Sequence, residues 1–245
     1  MPRLRRGVLL LHGSSGTPDL DRARILEAQG YDVLAPRWFD GRISEIPLES
    51  FPLDELAERN DRVAVMGMSR GAEAALLLGA LDDRVDAVVA LAPSAYVWAW
   101  NEGGRQTSAW TWQGEPLPFV PFDPEWKPDD DPPSFAGWYR QSLKRYGAEA
   151  EAARIPVERI RGEVLLIAGG DDRVWPSVEF AERIALARAE LPTRTVIAAR
   201  AGHRLIFPGE QPKTGGQRMA RGGTEAADRE LGELAWADVR RVLRG

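Results

Sequence analysis

The 245-residue sequence contains no cysteine. This absence excludes disulfide bonds, thiolate nucleophiles and cysteine-ligated metal sites. It is also consistent with a reducing cytoplasm, which is the location that we expect. Long apolar runs are missing too: the first one, Val8 to Leu11, ends at His12, and no segment approaches the roughly 20 apolar residues that cross a bilayer.

An excess of positive charge is a further feature that the sequence lacks. The formal net charge is −5, which argues against a nucleic-acid surface and against electrostatic docking to anionic lipid. We therefore expect a small-molecule partner, with no nucleic acid and no membrane, and the oligomeric state stays open. With 44% hydrophobic residues, the chain has enough apolar side chains to bury a full core.

Short apolar runs alternate along the chain with amphipathic stretches of helical period. This alternation predicts βαβ units around a mostly parallel sheet that is covered by helices. Strands are predicted at residues 7–11, 31–34, 62–66, 86–91, 163–168 and 193–198. Helices are predicted at residues 18–29, 53–59, 69–81, 176–190 and 224–243. In the first helix, Thr17 is the expected N-cap and Pro18 the first helical residue.

The alternation lapses between Ala92 and Ile160. Six of the nine tryptophans lie in this stretch, at positions 98, 100, 110, 112, 126 and 138. An insertion of this size with little periodicity predicts a helical or irregular lid, at about residues 93–160. Two interpretations of the aromatic rings remain open, because they can line an acyl-binding surface or form the core of the insertion.

The motif that carries most chemistry is Gly-Met-Ser-Arg-Gly at residues 67–71. It follows an apolar strand and opens an amphipathic helix, which is the context of a G-x-S-x-G nucleophile elbow. Because the serine must lie on a tight, strained turn, its neighbours Gly67 and Gly71 have to be small. The motif predicts that Ser69 is the nucleophile of an α/β-hydrolase fold, with residues 1–245 as a single domain.

The general base is expected to be His203. The chain has only two histidines, and a hydrolase of this kind places its histidine after the serine and the acid in chain order. His12 precedes Ser69, whereas His203 follows the last predicted strand. We interpret His12 as a residue that shapes the loop after the first strand.

The acid is expected in the loop after the predicted strand 163–168, which offers Asp171 and Asp172. Asp172 is favoured because hydrolases with this loop usually carry the acid three residues after its first glycine, here Gly169. The alternative for Asp171 is a turn-forming carboxylate. Asp172 would hold His203 in the productive tautomer and stabilise its protonated form.

Two backbone N–H groups are expected to form the oxyanion hole, each contributing about 3–4 kcal/mol in the transition state. One belongs to Arg70, the residue after the nucleophile. The other lies in the loop 12–16, with Ser14 as its expected donor. The Arg70 side chain either contacts a phosphate or carboxylate of the substrate or, as we favour, is exposed without such a role. No metal ion or organic cofactor is expected.

These residues give the chain a resemblance to a known family. It resembles the C-terminal catalytic domain shared by acyl-CoA thioesterases and bile acid-CoA:amino acid N-acyltransferases, a branch near the dienelactone hydrolases. The similar stretches are GYDVLAPRWF, EIPLESF, VAVMGMSRGAEAALLLG, VDAVVALAPSAYVW, IPVERIRGEVLLIAGGDDRVWPS, AGHRLIFP and GGTEAADRELGELAW. The resemblance implies a triad of Ser69, Asp172 and His203, the residues reached above.

The resemblance also implies an activity. The acyltransferase branch uses a cysteine nucleophile, so Ser69 resembles the thioesterase branch and implies water as the acyl acceptor. Acyl-CoA thioester hydrolysis is therefore the leading expectation, and a carboxylesterase or dienelactone-hydrolase-like activity on small esters is the alternative. Acyl transfer to an amine is disfavoured by the serine. A catalytically silent binding module is disfavoured because each triad position holds a competent residue.

Overall fold

The secondary structure is that of the computed structural model, which describes residues 4–245. Its strands are β1 (Arg6–Leu11), β2 (Asp32–Leu34), β3 (Ile46–Pro47), β4 (Arg62–Met68), β5 (Ala87–Leu91), β6 (Ala99–Glu102), β7 (Arg105–Ser108), β8 (Trp110–Trp112), β9 (Glu115–Pro116), β10 (Glu163–Gly169) and β11 (Thr193–Ala198). Its α-helices are α1 (Leu20–Ala28), α2 (Leu53–Arg59), α3 (Arg70–Leu81), α4 (Ala136–Arg145), α5 (Gly147–Ala152), α6 (Ser177–Ala187) and α7 (Glu225–Arg244). Short 3₁₀ helices cover Leu48–Ser50 and Val157–Arg159.

Six strands form one parallel sheet in the order β11-β10-β5-β4-β1-β2. The predicted parallel sheet with flanking helices is confirmed. The order in which strands are added to the sheet reverses at β1, because β2 lies on one side of it and β4 on the other. The loops that follow β1 and β4 therefore border the crevice in which sheets of this kind bind ligands.

Alternate residues of each strand point to opposite faces of the sheet, as the two-residue period of a strand requires. Leu9 and Val65 lie on the face that is covered by α2, α3 and α6. Leu10 and Met66 lie on the face that is covered by α1 and α7. All four side chains are at most 1% exposed, and full burial of such a side chain stabilises the fold by about 1.5–3 kcal/mol.

All six predicted strands and all five predicted helices are present, with ends that differ by up to three residues. The predicted cap of the first helix was wrong. Asp19, and not Thr17, is the N-cap of α1, and its side chain accepts a hydrogen bond from the Arg22 N–H. Among residues 4–245, no helix is both long and apolar enough to cross a membrane.

The prediction of a helical or irregular insertion was partly wrong. The insertion contains two antiparallel strand pairs, β6 with β7 and β8 with β9, as well as the helices α4 and α5. Its strand β8 also pairs in parallel with β3, where Ile46 lies beside Trp110. Strands of two to four residues are too short to produce a recognisable period in sequence.

Candidate active site

Ser69 lies on the single-residue turn between β4 and α3. Its backbone has φ +58° and ψ −121°, a left-handed conformation that is rare and strained for a residue with a side chain. The Ser69 N–H donates to the Leu91 carbonyl at 2.9 Å, which holds the turn against the neighbouring strand β5. The turn has the shape that the sequence motif predicts.

Glycines leave the space that this turn needs. A Cβ at Gly67 would overlap the Gly71 carbonyl, and a Cβ at Gly71 would overlap the Leu11 carbonyl at the end of β1. A Cβ at Gly13 would lie 3.2 Å from the Ser69 Cβ. The loop after β1 therefore runs directly beside the nucleophile candidate.

Asp172 and His203 are joined by a hydrogen bond of 2.8 Å between His203 Nδ1 and Asp172 Oδ2. Asp172 Oδ1 accepts from the N–H groups of Val174 and Trp175, at 2.9 and 3.3 Å, so the carboxylate is fixed on both sides. Because an ionised carboxylate only accepts hydrogen bonds, Nδ1 carries the proton and Nε2 remains the basic nitrogen of the ring.

Asp171 has a different environment. Its Oδ2 accepts from the Gly223 N–H at 2.8 Å, and its Oδ1 accepts from Arg173 Nε at 3.1 Å. The Gly223 N–H is the main reason why the pKa of the Asp171 carboxyl is lowered, and Arg173 adds to the effect. The structure thus brings Asp172 to the His203 ring and uses Asp171 in a turn.

The three residues follow the carboxyl ends of β4, β10 and β11, at one edge of the sheet. Each is nearly buried, with 7% of Ser69, 9% of Asp172 and 6% of His203 exposed. Among residues 4–245, no hydrogen bond joins the Ser69 hydroxyl to the His203 ring. Catalytic hydrogen bonds of ligand-free hydrolases are often long and tighten when substrate binds.

The loop that was predicted to supply an oxyanion donor is shaped by His12. The His12 ring is 4% exposed, its Nδ1 lies 2.7 Å from the Gly13 carbonyl, and it stacks on Trp38 at 5.1 Å. Burial lowers the pKa of His12, which favours a neutral ring. Ser14 is an exposed residue of this loop, and Arg70 begins α3; their roles as N–H donors remain predictions.

The expectation that the Arg70 side chain is exposed was wrong. It is 6% exposed, and its Nη1 lies 3.1 Å from Glu73 Oε2. Its Nη2 donates to the Ala99 carbonyl at 2.7 Å. The helical spacing of three residues places Glu73 beside Arg70, and the backbone of the insertion covers both.

Glu73 is a structural residue beside the site that the sequence reasoning missed. It is fully buried and accepts from the Trp98 N–H at 3.0 Å and from the Trp110 Nε1 at 2.8 Å. Burial raises the pKa of Glu73, and the charge of Arg70 opposes this shift. The sequence feature that could have pointed to Glu73 is its pairing with Arg70 in the first turn of an otherwise apolar helix. The pair therefore binds the insertion to α3, the helix that follows Ser69.

Replacing Glu73 by alanine is expected to lower the free energy of unfolding by about 3–5 kcal/mol, because Arg70 is left as an unpaired buried charge. Urea unfolding measures this loss. Glu151→Ala is the control: its ion pair with Arg154 is solvent-exposed, so its loss is expected to stay below about 1 kcal/mol. Equal losses in the two variants would contradict the structural role of the Arg70–Glu73 pair.

Two of the six tryptophans of the insertion lie in its core, and the other four are half-buried. Trp98 and Trp110 are fully buried. Tyr139 of α4 packs edge-on against Trp98 at 4.6 Å and against Trp175 at 5.5 Å, and Trp175 in turn lies edge-on to the His203 ring at 5.9 Å. Burial raises the pKa of Tyr139 to about 12. These rings connect the core of the insertion to the triad candidates through apolar contacts.

Two surface cavities lie away from the triad candidates. A surface cavity of about 260 Å³ lies between α5 and α6, and one of about 220 Å³ lies beside the start of α7. Neither is lined by Ser69, Asp172 or His203. Within residues 4–245, no three His, Asp or Glu side chains converge in a way that could hold a metal ion.

Known proteins resemble this chain in sequence family and in fold. The model of the family described as BAAT / acyl-CoA thioester hydrolase C terminal matches residues 53–213. A dienelactone hydrolase-like promiscuous phosphotriesterase from metagenomic libraries superposes with a TM-score of 0.52 at 15% identity, over 99% of this chain and 87% of that chain. A puromycin hydrolase superposes with a TM-score of 0.53 at 23% identity, over 98% of this chain and 35% of that chain. These likenesses show a common fold, and no curated protein matches the sequence.

Proposed function

The chain belongs to the BAAT / acyl-CoA thioester hydrolase C-terminal family, and from this premise we propose that it hydrolyses acyl thioesters with Ser69, Asp172 and His203 as its catalytic triad. The observation that carries the proposal is the 2.8 Å bond between Asp172 and His203, at the sheet edge that also carries the strained Ser69 turn. Within this proposal, residues 1–245 are one hydrolase domain, and the insertion at about 93–160 is its lid.

The first half-reaction forms an acyl-enzyme. His203 Nε2 takes the proton of the Ser69 hydroxyl while Ser69 Oγ attacks the acyl carbonyl carbon. The N–H groups of Arg70 and Ser14 bind the resulting oxyanion. The carbon–sulfur bond then breaks, and the imidazolium returns its proton to the leaving thiolate, so a free thiol departs.

The second half-reaction uses water. His203 takes a proton from a water molecule, whose oxygen attacks the carbonyl carbon of the acyl-enzyme. The bond to Ser69 Oγ breaks, the serine oxygen recovers its proton from His203, and the carboxylic acid leaves. Throughout both steps, the Asp172 carboxylate accepts from Nδ1 and stabilises the ring when it is charged.

Three features support the hydrolysis of an acyl thioester: one concerns the thioester, one the water acceptor and one the acyl group. The matched family is named for acyl-CoA thioester hydrolysis. The nucleophile candidate is a serine, which the resemblance associates with water as acceptor. Beside the triad candidates, Tyr139 of the insertion packs edge-on against Trp175, which lies in the loop between β10 and α6, and aromatic side chains suit the apolar part of an acyl group.

The proposal is tested by comparing kcat/KM for an acyl-CoA and a p-nitrophenyl ester that carry the same acyl chain, at several chain lengths. We expect the acyl-CoA to be preferred by more than about tenfold, a difference of about 1.4 kcal/mol in transition-state binding. Ser69→Ala gives the background rate for both substrates. A preference for the oxoester at every chain length would contradict the thioester assignment.

A small-ester hydrolase is the second candidate. The observation that favours it is the burial of Ser69 and His203, which are 7% and 6% exposed. A long acyl chain has to displace part of the insertion to reach a serine this deeply placed, whereas a short ester displaces less. In the same panel, this candidate predicts the highest kcat/KM for short-chain oxoesters.

A further inference from the structure

A buried carboxylate lies next to the turn that carries His203, the candidate base, and takes no part in the triad. It belongs to Asp228, in the first turn of α7, and the residue is 8% exposed. Asp228 Oδ1 accepts a hydrogen bond from the Gly202 N–H at 2.7 Å. Since Gly202 directly precedes His203, this bond fixes the backbone next to the imidazole.

Asp228 holds the His203 turn at a second point. Its backbone carbonyl accepts from the Ile206 N–H at 3.0 Å, so one residue of α7 binds both ends of the segment 202–206. The His203 N–H itself donates to the Arg221 carbonyl at 2.9 Å. The backbone that carries the ring is therefore anchored before, at and after the histidine.

Glycines make this close approach possible. Gly223 has φ +66°, and a Cβ there would lie 2.7 Å from Asp228 Oδ1 and would overlap the Gly202 nitrogen. A Cβ at Gly202 would overlap the Gly222 carbonyl. Side chains at these positions would push the start of α7 away from the His203 turn, so the contact depends on this glycine cluster.

The carboxylate is also electrostatically coupled to the triad candidates. Burial raises the pKa of Asp228, and the hydrogen bond from the Gly202 N–H opposes the rise. The negative charge of Asp172 raises this pKa further, whereas the positive charge of a protonated His203 lowers it. The other charged groups around the turn are Asp171 with its partner Arg173, and Arg204 and Arg221, whose guanidinium groups bind backbone carbonyls.

We propose that Asp228 is a positioning residue for the base: it fixes the turn that carries His203, and its charge adds to that of Asp172 in favouring the protonated ring. The proposal rests on the proposed function, in which the His203 ring becomes positive during both half-reactions. A negative charge near the ring favours that state. The bond to Gly202 supports the orientation in which Nδ1 faces Asp172.

The test compares Asp228→Asn with a matched control, Asp238→Asn. The asparagine at 228 keeps an acceptor oxygen for Gly202 but removes the charge. Asp238 lies in the same helix, is also 8% exposed and pairs with Arg194 at 2.7 Å. Two readouts are measured: the acid limb of the pH profile of kcat/KM, and the NMR titration of the His203 ring, which is easily assigned because the chain has two histidines.

We expect Asp228→Asn to move both midpoints to lower pH by about half a unit, since removing a negative charge makes the ring easier to deprotonate. Asp238→Asn is expected to move neither. Asp228→Ala, which also removes the acceptor, should lower kcat by about tenfold with little change in KM.

Unchanged midpoints in Asp228→Asn, or equal shifts in both asparagine variants, would overturn the positioning role. The NMR titration needs no turnover, so it separates this inference from the proposed function. Suppose that Ser69→Ala keeps its activity while the His203 titration still responds to Asp228→Asn. The proposed function then fails, but the influence of Asp228 on His203 stands.

Discussion

Ser69→Ala is expected to lower kcat by at least about 10⁴-fold, because no other group replaces a lost nucleophile in this mechanism. The remaining rate comes from substrate binding and from the N–H donors of the oxyanion hole. Steady-state hydrolysis of an acyl-CoA and of a p-nitrophenyl ester measures the loss. Thermal unfolding should change little, since removal of the hydroxyl leaves the strained turn and its glycines in place.

Ser50→Ala is the matched control for the nucleophile variant. Ser50 is exposed, and its hydroxyl donates to the Pro47 carbonyl in a surface turn. Its replacement should leave kcat within about twofold, as is usual for surface substitutions away from a site. If Ser69→Ala retains most of the wild-type rate, the assignment of the nucleophile is wrong.

Asp172→Asn is expected to lower kcat by about 10⁴-fold. An asparagine keeps the size of the side chain but can donate to His203 Nδ1, which stabilises the wrong tautomer and removes the charge that supports the imidazolium. KM should change little, because the carboxylate faces the histidine and two backbone N–H groups and has no place in substrate binding.

The neighbouring Asp171→Asn supplies the comparison. Asp171 binds Gly223 and Arg173, so its replacement should reduce stability modestly and leave kcat within a few-fold. The kcat of the two variants, measured with one substrate at one pH, therefore distinguishes the two carboxylates. A larger loss in Asp171→Asn than in Asp172→Asn would contradict the proposed triad.

The sheet and the triad candidates were predictable because their signals are local. The apolar runs at β4 and β10 are continuous, since helices cover both faces of the sheet. The glycines around Ser69 are required by the backbone of the turn itself. The histidine and the acid follow from chain order and from the loops after two strands, which is information that a short segment carries.

The contacts of the insertion were not predictable in the same way. The burial of Arg70 depends on the Ala99 carbonyl, 29 residues further along the chain. The pairing of β3 with β8 joins Ile46 to Trp110. Such pairings depend on tertiary packing rather than on the pattern of either segment. Asp228 was missed for the same reason, because its partner Gly202 lies 26 residues away.

The most direct test of the central claim is covalent labelling with a serine-reactive phosphonate, followed by mass spectrometry of the peptides. The account predicts one adduct, on Ser69, which is lost in Ser69→Ala and formed slowly in Asp172→Asn, because the phosphonate reacts only with a serine that a base activates. An adduct on another serine, or no adduct on the folded protein, would contradict the account.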